Sequence, residues 1–277
     1  MPCPRVAAIH DMSGFGRCSL TVALPVLSAM GVQCCPLPTA FLSTHTGGFE
    51  GYTFLDMTDE MPRIADHWRS LGLKFDAVYS GFMGSERQMD IVRRFIEDFR
   101  SENTLVLVDP VMGDHGRMYR TYTPEMCRKM GDLALSAGLI TPNLTEAAFL
   151  LGRPYESLSR TKVGVTELLS ALSLGKTRSV VITGVSFDDG LLGAACYDAD
   201  LDEVSFAFSP QIGAEFHGTG DLFASVLLGA RLRGKSLAEA SKAAVSFVHA
   251  CALRTYNEGL PLRDGVEFEP LMGSLIL

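Results

Sequence analysis

The sequence lacks most of the patterns that would fix a class at once. Its longest apolar stretches are broken by charge well before membrane-spanning length, so no transmembrane segment is expected. The seven cysteines (Cys3, Cys18, Cys34, Cys35, Cys127, Cys196 and Cys251) are irregularly spaced and contain no C-x-x-C pair, which argues against a zinc site or a thioredoxin motif. An odd set of unpaired thiols suits a reducing cytoplasm. Pro2, Pro4 and Arg5 lead straight into an apolar run, so no signal peptide is expected. Basic excess is missing too. With 24 Lys and Arg against 32 Asp and Glu, the net charge is −8, which argues against nucleic acid or an anionic membrane as the main partner. A small phosphorylated ligand stays open, because it needs only local amides and a cation. Gly14 and Gly16 are followed by Ser19, not by a third glycine, so the dinucleotide pattern G-x-G-x-x-G is absent as well.

What is present is a chain of 277 residues, 47% hydrophobic and 20% charged, suited to one large α/β domain over residues 1–277. Short apolar runs alternate with helical patterns. Val6–Ile9, Val32–Leu37, Phe75–Tyr79, Thr104–Val108, Leu139–Ile140 and Val180–Thr183 read as strands. Helices are expected over about 18–30, 57–71, 86–100, 144–151, 161–174 and 237–253, with another opening at Asp221. Ser13–Gly16 reads as a Gly-rich turn, and Leu191–Cys196 with Val204–Phe208 as an antiparallel ribbon. Such alternation predicts a mostly parallel, doubly wound sheet with helices on both faces. Residues 39–54, polar and aromatic around Gly47, Gly48 and Gly51, read as a flap or short hairpin over a ligand, and equally as a plain surface hairpin.

The chemistry centres on FHGTGDLFASVLLGARLRG, residues 216–234. Gly218, Thr219 and Gly220 form a small turn that feeds a helix at Asp221. Close-approaching amides and the positive end of a helix together make an anion site, and a carboxylate there can take a proton from a hydroxyl. An Asp that merely charges the first helical turn is the plainer reading of these four residues alone. Polar residues also collect where the apolar runs end, at Asp11, Ser80, Asp109, Asn143 and Thr183, and in an open parallel sheet those ends share one edge. Asp114 adds a carboxylate in the loop after Asp109. Asn143 and Glu146 are spaced for one helix face, and equally for a capping pattern. Carboxylates gathered without His or Cys suit a hard cation such as Mg²⁺. Thr183 and Gly184 could touch a phosphate. One decoy, Gly229 to Ser236, matches the Walker A pattern in letters, yet bulky Arg231, Leu232 and Arg233 fill its loop positions and helical spacing precedes it. Gly234 reads better as a helix-ending glycine, and Ser236 as the cap of the next helix.

Taken together, DPVMGD, TPNLTEA, VVITG and GTGD with its apolar helix, in this order along the chain, resemble the ribokinase-like superfamily, and within it the pyridoxal kinases and the related hydroxymethylpyrimidine kinases. The opening IHDMSGFGR and the STHTGG segment lean toward the vitamin B6 kinases. The resemblance implies ATP-dependent phosphorylation of a hydroxymethyl group on pyridoxal, pyridoxamine or pyridoxine. It implies Asp221 as catalytic base and Gly218, Thr219 and Gly220 as anion hole. Asp109, Asp114, Asn143, Thr183 and Gly184 would serve ATP, together with Thr219 and Gly220. Glu146 and Asp109 would serve Mg²⁺, and Asp11, Thr46 and Phe82 the substrate. A homodimer and a monovalent cation belong to the same expectation. Two positions depart from the pyridoxal kinase pattern. Asp11 stands where many members carry Ser, and Phe82 where many carry Tyr. Asp11 resembles the hydroxymethylpyrimidine kinases instead, which leaves phosphorylation of that pyrimidine as the rival reading.

Overall fold

The computed structural model describes residues 3–188 and 190–276. In chain order its elements are β1 (Arg5–Phe15), α1 (Leu20–Ala29), β2 (Gln33–Thr44), β3 (Phe54–Asp56), α2 (Glu60–Ser70), β4 (Ala77–Ser80), α3 (Glu86–Phe99) and β5 (Leu105–Val108). A two-stranded hairpin follows, β6 (Gly113–Asp114) and β7 (Arg117–Met118), then α4 (Pro124–Ala134), β8 (Leu139–Ile140), α5 (Leu144–Leu151) and α6 (Lys162–Leu172). The chain ends with β9 (Ser179–Val185), β10 (Leu191–Asp198), β11 (Glu203–Pro210), α7 (Thr219–Leu232), α8 (Leu237–Asn257) and short 3₁₀ turns.

Nine strands form one sheet in the order β11-β10-β9-β8-β5-β4-β1-β2-β3. The six from β9 to β2 in that order pair in parallel, while β10, β11 and β3 add antiparallel edges. The central strands are apolar on both faces because helices cover both. Ala7 and Ile9 of β1 join Met61, Phe95, Met130 and Leu168 from α2, α3, α4 and α6 on one face. Val6 and Ala8 join Leu20, Leu227 and Ala244 from α1, α7 and α8 on the other. Among the described residues no helix is long and apolar enough to cross a membrane.

The local signals explain most boundaries. Ser85 caps α3 by accepting the Gln88 N–H, and Ser236 and Glu239 form a capping box at α8. Gly234 stands just past α7 with φ +83°, so the Walker-like letters are the end of one helix and the start of the next, as the bulky residues suggested.

Four sequence expectations are corrected or refined. Ser13–Gly16 is not all turn, because Ser13 and Phe15 pair with Leu42 and Thr44 of β2 and the turn is deferred to Gly16. For the same reason β2 runs on to Thr44, and 39–54 is an antiparallel hairpin in which Phe41 faces Leu55 and Leu42 faces Phe54. Gly184 lies inside β9, at φ +69°, where Gly193 pairs with Val185 but Ala194 with Thr183, so it is the extra residue of a bulge that any side chain would strain. Helix α4, which sequence reading misses, starts on Thr123 as N-cap with Pro124 in its first turn and buries Met126, Met130 and Leu133.

Candidate active site

The carboxyl ends of the parallel strands line up one residue after another. Past the last ladder pairs, Gly81 N–H donates to the Ile9 carbonyl, Asp109 N–H to Ser80, Thr141 N–H to Val108 and Thr183 N–H to Pro142. These bonds carry the sheet's order into the loops and set Asp11, Ser80, Asp109, Asn143 and Thr183 along one edge, as expected of ligand-binding α/β sheets.

A register shift in β1 between His10 and Met12 places the first acid. Bulges of this kind re-aim side chains. Asp11 is buried and accepts two hydroxyl bonds, from Ser19 at 2.6 Å and Ser13 at 3.1 Å. Ser19 has the backbone angles φ 50° and ψ −129°, an unfavourable conformation for a residue with a side chain. In that conformation its hydroxyl reaches Asp11 while its N–H favours the charged form of Asp221. Sequence reading misses Ser19 because a Ser at a helix start looks like an ordinary N-cap, yet it makes no side-chain cap bond to α1.

Gly218 opens α7 at φ +75°, and a Cβ there would stand 1.9 Å from the Arg17 carbonyl oxygen. Both facts demand glycine. No side chain caps this helix, so the first-turn N–H groups of Thr219, Gly220 and Asp221 are left for another acceptor, at the positive end of the helix. The Asp221 side chain is 15% exposed beside them. Burial, with a smaller contribution from the Asp11 charge, pushes its pKa up to about 7.

Asp109 is a second crowded acid. Thr141 Oγ1 donates to it at 3.0 Å, but burial and then the Asp221 charge push it up to about 7 as well. Asn143 and Glu146 form a complete capping box on α5, so the structural half of the sequence alternative holds. Glu146 does more than cap. Its two oxygens accept the N–H groups of Asn143 at 2.8 Å and Met112 at 3.0 Å, and burial, then Asp109, raise its pKa well above the usual range. The Asn143 amide donates to the Gly113 carbonyl at 2.9 Å, which ties α5 to the loop carrying Asp114. Asp114 itself is exposed on the β6–β7 hairpin and accepts from the His115 N–H.

The expected substrate contacts are arranged less tightly. Phe82, half-buried after β4, packs its ring 6.1 Å from that of Tyr122. Thr46 is exposed in the hairpin loop and makes no hydrogen bond to the other predicted site residues among the described residues. Its loop is nevertheless anchored at the site. His45 bonds the Arg263 carbonyl at 2.7 Å and accepts the Gly47 N–H at 3.1 Å, and Gly47 lies so close to the His217 ring that a Cβ would come within 2.7 Å. His217 directly precedes Gly218. Neither histidine carries a sequence signal, because their meeting depends on the fold.

Uncapped amides at a helix start, an adjacent carboxylate pushed to a pKa of about 7 and a further row of acids thus stand together at the carboxyl edge of a ribokinase-like α/β sheet. The family described as phosphomethylpyrimidine kinase matches residues 23–263, and the chain belongs to it. A Bacteroides thetaiotaomicron protein described as a phosphomethylpyrimidine kinase, in an orthorhombic crystal form with pyridoxal, is 41% identical with a TM-score of 0.94 over 99% of this chain and 96% of that one. Pyridoxal kinase from Lactobacillus plantarum is 30% identical with a TM-score of 0.90 over 99% of this chain and 96% of its own. Among curated relatives, the pyridoxine/pyridoxal/pyridoxamine kinase of Bordetella pertussis is 28% identical over 92% of this chain and 90% of its own length. The family and fold expected from the motifs therefore hold.

Proposed function

We propose that this protein, read as one ribokinase-like unit over residues 1–277, transfers the γ-phosphoryl group of ATP to the 5′-hydroxymethyl group of a vitamin B6 vitamer. The observation that carries the reading is Asp221, a carboxylate poised near neutral pH against the free amides of a helix start. The similarity to kinases named for pyridoxal, pyridoxine and pyridoxamine favours these vitamers over hydroxymethylpyrimidine, although the family is named for the pyrimidine.

In the reaction the alcohol oxygen forms a bond to the γ-phosphorus as the bond from that phosphorus to the β–γ bridging oxygen breaks, and ADP departs. Asp221 takes the alcohol proton. The N–H groups of Gly218, Thr219 and Gly220 offset charge on the transferring group, so the protein's contribution is chiefly position and electrostatics. Asp11 and Phe82 flank the alcohol, with Thr46 brought in by the hairpin loop. Asp114, Asn143, Thr183 and Gly184 serve the nucleotide, with Asp109.

Magnesium fits the donor set. Asp109 and Glu146 are buried acids whose raised pKa values mark a place short of positive charge. Among the described residues no three His, Cys, Asp or Glu side chains gather as a metal cage, which suits an ion that completes its shell with water and phosphate. Asp109 and Glu146 are the residues that would hold it, and bound there it would supply positive charge to the phosphate oxygens. The homodimer, the cytoplasmic location and the monovalent cation belong to this same reading through the family resemblance.

Steady-state ADP release with pyridoxal, pyridoxamine, pyridoxine and hydroxymethylpyrimidine, side by side, tests the assignment. A vitamer should give the highest kcat/KM. Preference for the pyrimidine overturns the substrate, and vitamer binding without turnover would make the protein a carrier and not a kinase.

A further inference from the structure

Directly behind Asp221 lies a fully buried polar group that the mechanism above does not use. His10 is 0% exposed, and among the described residues neither ring nitrogen has a hydrogen-bond partner. Its Nδ1 is 4.0 Å from Asp221 Oδ1. The ring stands edge-on to Tyr79, centroids 4.2 Å apart, and it presses on the Gly81 backbone so closely that a Cβ there would meet Nδ1 at 2.2 Å. The neighbourhood is polar as well: the Tyr79 and Ser225 hydroxyls are buried close to each other, and Ser225 follows Asp221 by one turn of α7.

Leaving both imidazole nitrogens dry and unbonded is unfavourable, so a histidine in this place calls for a reason. Burial pushes the His10 pKa down to about 3, and the ring is therefore neutral. A neutral ring carries one N–H, and the nearest charged acceptor is Asp221. Hydrogen bonds that serve catalysis are often long before the substrate is bound and shorten in the reacting complex.

Building on Asp221 as base, we propose that His10 is its positioning residue: in the substrate complex the Nδ1–H closes on Asp221 Oδ1 and holds the carboxylate in the orientation that receives the alcohol proton. The Asp11 that follows it in β1 is held separately, by Ser13 and Ser19, so the two neighbouring residues divide the work. Gly81 is what gives the ring its room.

Three substitutions separate this role from plain packing. Asn places an amide N–H where Nδ1 lies, Gln reaches toward the Nε2 position instead, and Leu keeps comparable bulk with no donor. His10→Leu should lower kcat by about 10- to 100-fold, the worth of a hydrogen bond to a charged group, with KM for ATP and alcohol within about twofold. His10→Asn should recover most of that loss and His10→Gln should not. If His10→Leu does not fold, the Asn and Gln pair decides. Equal activity of those two, or a Leu variant with normal kcat, overturns the proposal. So does a KM rise at unchanged kcat. Combining His10→Leu with Asp221→Asn tells this failure from failure of the base itself. If His10 acts through Asp221, the double variant is no slower than Asp221→Asn alone. If Asp221→Asn is itself nearly as active as wild type, the base assignment has failed. If Asp221→Asn is inactive while His10→Leu is normal, only the His10 role is lost.

Discussion

The two ends of the parallel sheet solve the burial of charge in opposite ways. At the amino end, Arg178 precedes β9 and is 5% exposed, yet it donates to the carbonyls of Leu172 and Ala134, at the last residues of α6 and α4. A cation is thus set against the negative ends of two helices and answers carbonyls that would otherwise lack partners. Arg5 at the start of β1 is likewise answered, its guanidinium donating to Gln33 Oε1 at 3.0 Å and to the Lys74 carbonyl at 3.4 Å. At the carboxyl end, Asp11, Asp109, Glu146 and Asp221 are crowded together. They receive hydroxyl and amide bonds, but the only basic side chain within 4.0 Å of any of them, among the described residues, is the neutral His10. The chain completes one end by itself and leaves the other short of positive charge. That asymmetry is what supports the proposal of a cation and a phosphate donor at the acidic end.

The sharpest way to break the comparison is at the base. Asp221→Asn should lower kcat by at least about 10²-fold, the usual worth of general-base catalysis, while ATP still binds; the check is turnover beside direct nucleotide titration. Next comes the turn that frames it. Gly218→Ala forces a Cβ toward the Arg17 carbonyl at positive φ, and should cost several kcal/mol of stability, about 2–4, along with activity, read by thermal melting and ADP release. The corresponding change at the amino end should separate stability from chemistry. Arg178→Ala leaves two helix-end carbonyls unanswered and should cost about 2–4 kcal/mol in denaturant unfolding, with KM values unchanged in the folded fraction. The smallest effect is expected from Ser19→Ala, which removes a hydroxyl from Asp11 but keeps the backbone that serves Asp221. A change in KM for the vitamer with kcat within about threefold is the expected result, equivalent to roughly 1 kcal/mol.

The same two ends show what could be read in the sequence. Asp109, Asn143, Glu146, Thr183 and Asp221 were legible because each follows an apolar run or opens a helix, and a parallel sheet puts such positions on one edge. The capping box at Asn143 was legible from a three-residue spacing. His10, Ser19 and the pairing of Gly47 with His217 were not. They depend on a bulge in β1, an unusual φ and a contact between segments about 170 residues apart, none of which has a local signature. Helix α4 was missed for another reason. Its apolar face is built from Met126, Met130 and Leu133 amid charged residues, so no strong apolar run marks it. Strand ends were misjudged wherever pairing outlasted hydrophobicity, as in β1 and β2.

Apo stability against pH probes the central asymmetry most directly. Asp109 has a folded pKa of about 7 against an ordinary value of 3.8. Below the ordinary value it is protonated in both states and costs nothing. Between the two values the folded chain binds more protons than the unfolded one, so stability falls as pH rises, and above the folded value the full cost remains. Chemical unfolding of the ligand-free protein from pH 5 to 8, wild type beside Asp109→Asn, isolates this contribution. The variant should gain stability over wild type progressively up to about pH 7, and then hold a constant lead. A difference that is flat across the range, or a variant less stable at pH 8 than at pH 5 relative to wild type, would contradict an acidic edge left uncompensated by the fold.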